Sequence, residues 1–311
     1  MSLLSKLTRP HVPRAACLLD AGECAVAEVR RRADRFALEA AARDTIPEGL
    51  LAPSFDERNI LNMDALAEAV DATVRRAGLG RRQRWSLLLP EAAVKSLVVS
   101  FETTPASRAE LTEMLNWKIE RMVGMPASDL RISRQFVGAG GTPRFLAVAG
   151  LATVLDEYEA LVATLGWQVG LLVPRYFGEA AWFDWDTGPG DKLLIGSRGP
   201  MMTAAVVRDG ELILVRTLDG DPSRFADEIY RLALFYRDRV ADSPEEAWVS
   251  KVLIHGPVDG ARVAATVADA IGHEPAIYSP YPEALDVDAS SLLEPGLLAA
   301  AGMATQHWSE H

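Results

Sequence analysis

Apolar residues arrive along this chain in short bursts, and the period inside each burst predicts its element. Cys17-Leu18-Leu19 and Cys24-Ala25-Val26-Ala27-Glu28-Val29 flank the acidic glycine turn Asp20-Ala21-Gly22-Glu23, which is the pattern of a β-hairpin. Residues 35–42 fit a third strand, although their alanines and Glu39 fit a helix as well. Met63, Leu66, Ala67, Val70, Val74 and Ala77 repeat at three and four, which predicts a helix ended by Gly78. Residues 85–89 read as a buried strand stopped by Pro90. Strand, strand, helix, strand is the opening of an α/β domain.

The next stretch has its own rhythm. Residues 94–101 read as a strand. Ser107 and Glu110 form a capping box, in which hydroxyl and carboxylate satisfy each other's orphan amides. It opens a helix with Leu111, Met114, Leu115, Ile119 and Met122 on one face. Strands at 131–137 and 145–151, with a glycine-rich turn at 138–141, complete a compact α+β unit. Thr153 is then expected to cap a helix carrying Leu155, Tyr158, Leu161, Val162 and Leu165, closed by Gly166. A strand at 167–173 and a short aromatic-rich helix at 175–185 lead to the linker 186–191.

After the linker the opening pattern returns. A strand at 192–196, a turn at 196–200, a strand at 203–207, the hairpin turn Asp209-Gly210 and a strand at 211–218 come in sequence. Asp221-Pro222 starts a helix with Phe225, Ile229, Leu232, Ala233 and Tyr236 on its apolar face. A strand at 248–255, a helix at 258–271, a strand at 276–278 and a small apolar run at 297–304 finish the chain. The chain therefore reads as two similar α/β halves with a cleft between them. The expected division is 1–90 and 153–186 for the first half, 91–152 for an inserted α+β subdomain, and 191–311 for the second half.

Composition narrows what such a protein does. The 311 residues carry 43 Asp and Glu against 32 Lys and Arg, a net charge of -11, so a general nucleic-acid surface is excluded by repulsion of phosphate. Cys17 and Cys24 make no disulfide framework, and the five histidines are scattered without ligand spacing, so no metal site is expected. No apolar run approaches the roughly 20 residues a membrane span needs. The amino terminus has no secretory pattern, which implies the cytoplasm; its Leu3, Leu4, Leu7 patch is too short to hold a membrane firmly. No catalytic Ser/His/Asp set can be placed. His255 and Asp259 straddle Gly256-Pro257, and Glu245-Glu246 reads as a solvated loop pair.

The order of several motifs resembles the type IV pilus assembly protein PilM. These are Leu89-Pro90, the strand Val94 to Phe101 running into Glu102-Thr103-Thr104-Pro105, the helix containing Trp117-Lys118-Ile119-Glu120, the hairpin Asp209-Gly210-Glu211-Leu212 through Arg216, and Glu294-Pro295-Gly296 leading into a small-residue helix. The resemblance implies an actin-like (ribonuclease H-like) two-domain fold with an inserted small α+β subdomain, as in FtsA. It also implies a cytoplasmic scaffold that binds the short N-terminal tail of a PilN-like membrane protein, peripheral to the inner membrane through that partner. The cytoplasmic part of the type II secretion protein GspL shares the fold and the scaffold role.

Proteins of this fold usually hold ATP with Mg²⁺ on two glycine hairpins. Here Asp20 and Gly22 match the first acid-glycine core, but Glu23 and Cys24 stand where hydroxyls are usual. In the second loop Gly196, Ser197 and Arg198 remain, while Leu194 replaces the acid and Pro200 removes an amide donor. The usual third glycine pair is reduced to Gly256 between His255 and Pro257. A non-catalytic protein without cofactor is therefore expected. The alternative is an ATP-binding protein or ATPase using Asp20, Gly22, Gly196, Ser197, Arg198 and Gly256.

Overall fold

The structure, a computed structural model, describes residues 11–101, 106–137, 144–241, 243, 247–281, 284–286 and 294–309. The Leu3, Leu4, Leu7 patch, the turn at 138–141 and Glu245-Glu246 lie outside the described residues.

Strand β1 (Ala15–Asp20) is buried at every position. It lies between β2 (Glu23–Arg32), antiparallel to it, and β4 (Arg84–Leu89), parallel to it. A strand covered on both faces carries a continuous apolar run rather than an alternating one, which is what Cys17-Leu18-Leu19 supplies. On the far side of β2 runs β3 (Arg35–Asp44), and beyond β4 runs β8 (Gln168–Pro174). With β14 (Leu285–Asp286) at the edge, the sheet order is β14-β3-β2-β1-β4-β8. Helices α1 (Met63–Arg76), α3 (Ala152–Thr164), α4 (Arg175–Ala180) and α7 (Pro295–Ser309) belong to the same compact unit. Its α7 is rich in alanine and docks beside the sheet, where Trp308 Nε1 donates to the Val29 carbonyl at 3.2 Å. Each large apolar side chain buried as fully as Phe36 or Trp85 contributes about 1.5–3 kcal/mol.

The second unit gathers Val94–Ala152 and Phe183–Ser279. Its five-stranded sheet uses β9 (Asp191–Arg198), β10 (Met201–Arg208), β11 (Glu211–Asp219), β12 (Val249–His255) and β13 (Ala276–Tyr278), in the order β11-β10-β9-β12-β13. Helix α5 (Phe225–Arg239) joins β11 to β12, and α6 (Gly260–Ile271) joins β12 to β13. A separate three-stranded sheet, β5 (Lys95–Ser100), β7 (Arg144–Leu151) and β6 (Leu130–Phe136), packs with α2 (Arg108–Val123) through Leu115 and Ile119.

The two large sheets repeat one topology. In each, three antiparallel strands are laid down in succession, and a fourth strand returns parallel to the first, with a fifth parallel to the fourth. The strand order third-second-first-fourth-fifth is common to both. No helix of the described residues is long and apolar enough to cross a membrane.

Four local expectations are corrected or decided. Residues 35–44 form a strand because Cys24 to Arg32 offer a full pairing edge, which outweighs the helix propensity of alanine. Helix α3 begins at Ala152, so Thr153 lies inside it rather than capping it. The turn expected at 196–200 is confined to Gly199-Pro200, because β9 keeps its pairing with β10 as far as Arg198. Helix α6 starts at Gly260 rather than Val258, since Asp259 is its N-cap.

Candidate functional site

The first hairpin closes on Asp20-Ala21-Gly22-Glu23, with Gly22 at φ 75°. A Cβ there would meet nothing within 4 Å, so glycine serves the left-handed turn itself. The two acids flanking the turn face each other in register, and an arginine of the same unit meets each.

Asp20 is buried. Its Oδ1 accepts from the Ala21 amide at 2.7 Å and its Oδ2 from Arg175 Nη1 at 3.2 Å. Arg175 follows Pro174 at the first position of α4, and its Nε donates to Glu179 Oε1, one turn on, at 2.8 Å. Arg175 is 5% exposed and Glu179 1%. Among the described residues, the buried Glu179 Oε2 accepts no hydrogen bond and the buried Tyr158 hydroxyl has no hydrogen-bond partner. Burial opposes the charge on Arg175, but attraction to Glu179, Glu91 and Asp20 outweighs it and raises the guanidinium pKa. Burial, then repulsion from Glu179 and Asp20 against the attraction of Arg175, pushes the Glu91 carboxyl up to about 8. Burial, with Asp20 and Glu157, also pushes up the Tyr158 hydroxyl.

Glu23, 2% exposed, accepts from Arg43 Nε at 2.9 Å, and Arg43 also reaches Glu294 at 2.8 Å. The hydrogen bond to Glu23 is the main reason that the Arg43 pKa is raised. A Cβ added to Gly296 would come 1.8 Å from Glu23 Oε1, so this carboxylate rests on the first turn of α7. A helix amino terminus favours an anion, and here an internal one already occupies it.

In the second unit, Gly196, Ser197 and Arg198 lie in β9, with Gly196 between Thr203 of β10 and His255 of β12. Gly256 has φ 91°, and a Cβ on it would sit 2.0 Å from the Ser197 carbonyl oxygen. Backbone packing of that loop on β9 thus accounts for the glycine without a ligand. The three residues Gly196, Ser197 and Gly256 are brought together. Ser197 also lines a cavity of about 350 Å³ with Phe225, Pro257, Val258 and Arg262. Asp259 accepts from the Ala261 and Arg262 amides at 3.0 and 3.3 Å, so the amino terminus of α6 is capped internally. His255 is 3% exposed at the end of β12 and is a core residue.

The fold usually carries a Mg-nucleotide, and the first hairpin does not fit one. The acids that would hold its metal, Asp20 and Glu23, are buried and already paired with Arg175 and Arg43. Among the described residues no three His, Cys, Asp or Glu side chains converge to hold a metal ion.

Sequence reading found Asp20, Gly22 and Glu23 but missed Arg175, Glu179, Glu91 and Arg43. The available signal was an Arg and a Glu four apart inside an otherwise apolar helix, a spacing that aligns them on one face.

No protein-family profile matches the chain, and no curated protein sequence matches it. Among solved structures, a chain of a "PilM-PilN type IV pilus biogenesis complex" superposes with TM-score 0.68 at 17% identity, over 96% of this chain and 99% of that one. The fold is actin-like. Other actin-like structures match less well. The cytoplasmic domain of EpsL, an inner-membrane component of the type II secretion system of Vibrio cholerae, has TM-score 0.49 at 12% identity, over 96% of this chain and 94% of that one. The ROK hexokinase of Thermus thermophilus has TM-score 0.45 at 13% identity, over 96% and 99%. The duplicated strand order of the two sheets is the internal mark of the same actin-like architecture.

Proposed function

We propose that this chain is a non-catalytic scaffold of a type IV pilus or type II secretion assembly platform. In this reading it lies on the cytoplasmic face of the inner membrane and binds the short N-terminal tail of a PilN-like membrane protein. Segment 91–152 acts as an insertion into the first actin-like half. The observation that carries the reading is the internal neutralisation of the first hairpin, Asp20 by Arg175 and Glu23 by Arg43, which uses up the acids a nucleotide-bound metal would need. The full-length likeness to PilM, a protein solved in complex with PilN, supports the choice of partner.

The test is calorimetric titration with a synthetic peptide of the amino-terminal tail of a PilN-like protein from the same organism. Saturable binding in the micromolar range is expected, and no heat up to about 500 μM contradicts the reading. A second reading, an ATP-binding protein using Asp20, Gly22, Gly196, Ser197, Arg198 and Gly256, draws on the cavity of about 350 Å³ beside Ser197.

A further inference from the structure

The sheet of the first unit is charged differently at its two ends. One end carries the acidic turn Asp20-Ala21-Gly22-Glu23. The other gathers the start of β1, the β2–β3 turn and the starts of β4 and β8. Ala15 stands opposite Glu28 and beside Trp85, Arg32 opposite Arg35, and Arg84 beside Gln168. Arg14, Arg30, Arg32, Arg35, Arg81 and Arg84 are exposed there, and among the described residues none of them makes an ion pair. Asp34 shares the β2–β3 turn, while the exposed acids Glu39 and Asp286 lie further back, along β3 and on β14. Glu283 and Glu310 adjoin β14 and α7 in sequence, and all these acids together are fewer than the arginines. Glu28 is buried and already paired with Arg82.

The β2–β3 turn concentrates the positive charge. Residues 30–35 read Arg-Arg-Arg-Ala-Asp-Arg, with Ala33 at φ 54° in the turn. Arg32 stands directly opposite Arg35, and Arg30, two residues back, shares their face of the ribbon. Like charges placed directly opposite each other in a ribbon are destabilising, so an anion laid across them relieves a repulsion of the free protein. Two part-exposed tryptophans stand at the same end. Trp308 lies under Arg14 at 5.2 Å and donates to the Val29 carbonyl, and Trp167 packs at 5.1 Å on Trp85. Tryptophan and arginine suit the headgroup layer of a bilayer, with an apolar body on the lipid side and a polar tip in water. His307 Nδ1 is 2.8 Å from the Val12 carbonyl, so residues 1–10, with Lys6, Arg9 and the leucines at 3, 4 and 7, are tethered at this end.

We propose that this end of the first unit rests directly on an anionic phospholipid bilayer. Its arginines meet the lipid phosphates, and its tryptophans reach the headgroup layer. Each cation at an anionic surface tightens partition about fivefold, and its reach falls off over about 8 Å at physiological salt. The Asp20–Glu23 turn lies the length of β1 away, about 20 Å, so its acids do not oppose the contact. Neither the arginines nor the leucines of residues 1–10 hold a membrane firmly alone, but two weak attachments together do. The tryptophans and leucines favour a bilayer over a nucleic-acid duplex, whose outer surface offers no apolar layer. Contact of this kind is independent of the partner tail in the pilus reading. The peptide titration contains no lipid and the experiment below no peptide, so each can fail without the other.

The experiment is co-sedimentation of the full chain with phosphatidylcholine vesicles, plain or with about a third phosphatidylglycerol. The chain is expected to pellet with the anionic vesicles alone, and less as salt rises. Arg30→Gln with Arg32→Gln and Arg35→Gln should weaken the partition about a hundredfold, while Tm holds or rises because the facing pair no longer repels. Arg81→Gln with Arg84→Gln, on a separate segment, should weaken it about 25-fold. Equal pelleting with both vesicle types, no pelleting with either at low salt, or undiminished pelleting of the arginine variants overturns the proposal. So does a duplex oligonucleotide or a polyglutamate peptide that binds these arginines more tightly than the anionic vesicles do.

Discussion

Arg175→Met keeps the apolar stem of the side chain and removes the guanidinium. Asp20 and Glu179, 6% and 1% exposed, then face each other in the interior of the first unit with no cation between them. Removing one partner of a buried ion pair costs about 3–5 kcal/mol, because the other charge stays buried. At about 2–4 °C per kcal/mol, Tm should fall by about 6–20 °C. The deficit should itself depend on pH. Without Arg175 the Glu91 carboxyl loses the attraction that opposes its upward shift and holds its proton to still higher pH in the folded state than in the unfolded chain, so stability is lost as pH rises. The gap between variant and wild type should therefore be larger at pH 8 than at pH 5. Adding Asp20→Asn and Glu179→Gln to the variant removes the stranded charges and should recover much of the loss. Thermal melts followed by circular dichroism check all of this. A variant melting within about 2 °C of wild type at pH 8 refutes the claim that Arg175 compensates buried acids.

Glu91→Gln is expected to flatten the pH profile. The native Glu91 carboxyl keeps its proton up to about 8, against an ordinary value of 4.5, so its contribution fades as pH climbs through that window. The variant should overtake wild type in melts above pH 8, and parallel profiles count against the assignment. Gly256→Ala should cost about 3 kcal/mol or more in urea unfolding, because it adds a clash with the Ser197 carbonyl to the left-handed backbone cost. Gly22→Ala, with open space around it, should cost only about 1 kcal/mol.

Much of the scaffold was legible in the sequence where one face of an element meets one sheet. The five residues read as the apolar face of α5, Phe225, Ile229, Leu232, Ala233 and Tyr236, are the five it buries. Legibility failed where pairing rather than local pattern decides. The alanines and glutamate of residues 35–44 are neutral between helix and strand until β2 supplies an edge. Gly196-Ser197-Arg198 looks like a turn by composition, yet neighbours on both sides hold Gly196 in β9. The hairpin acids were visible as a motif, but their arginines were not. Arg175 stands 155 positions from Asp20, and no period in one sequence links them. Arg43 closes on Glu23 only because β2 and β3 pair.

Arg175 and Arg43 hold the acids of the first hairpin, and in the proposed reading that hairpin offers triphosphate no seat. Calorimetric titration of the full chain with Mg-ATP tests it most directly. No saturable heat up to about 1 mM nucleotide is the predicted result. Binding tighter than about 100 μM that disappears with Asp20→Asn would contradict it.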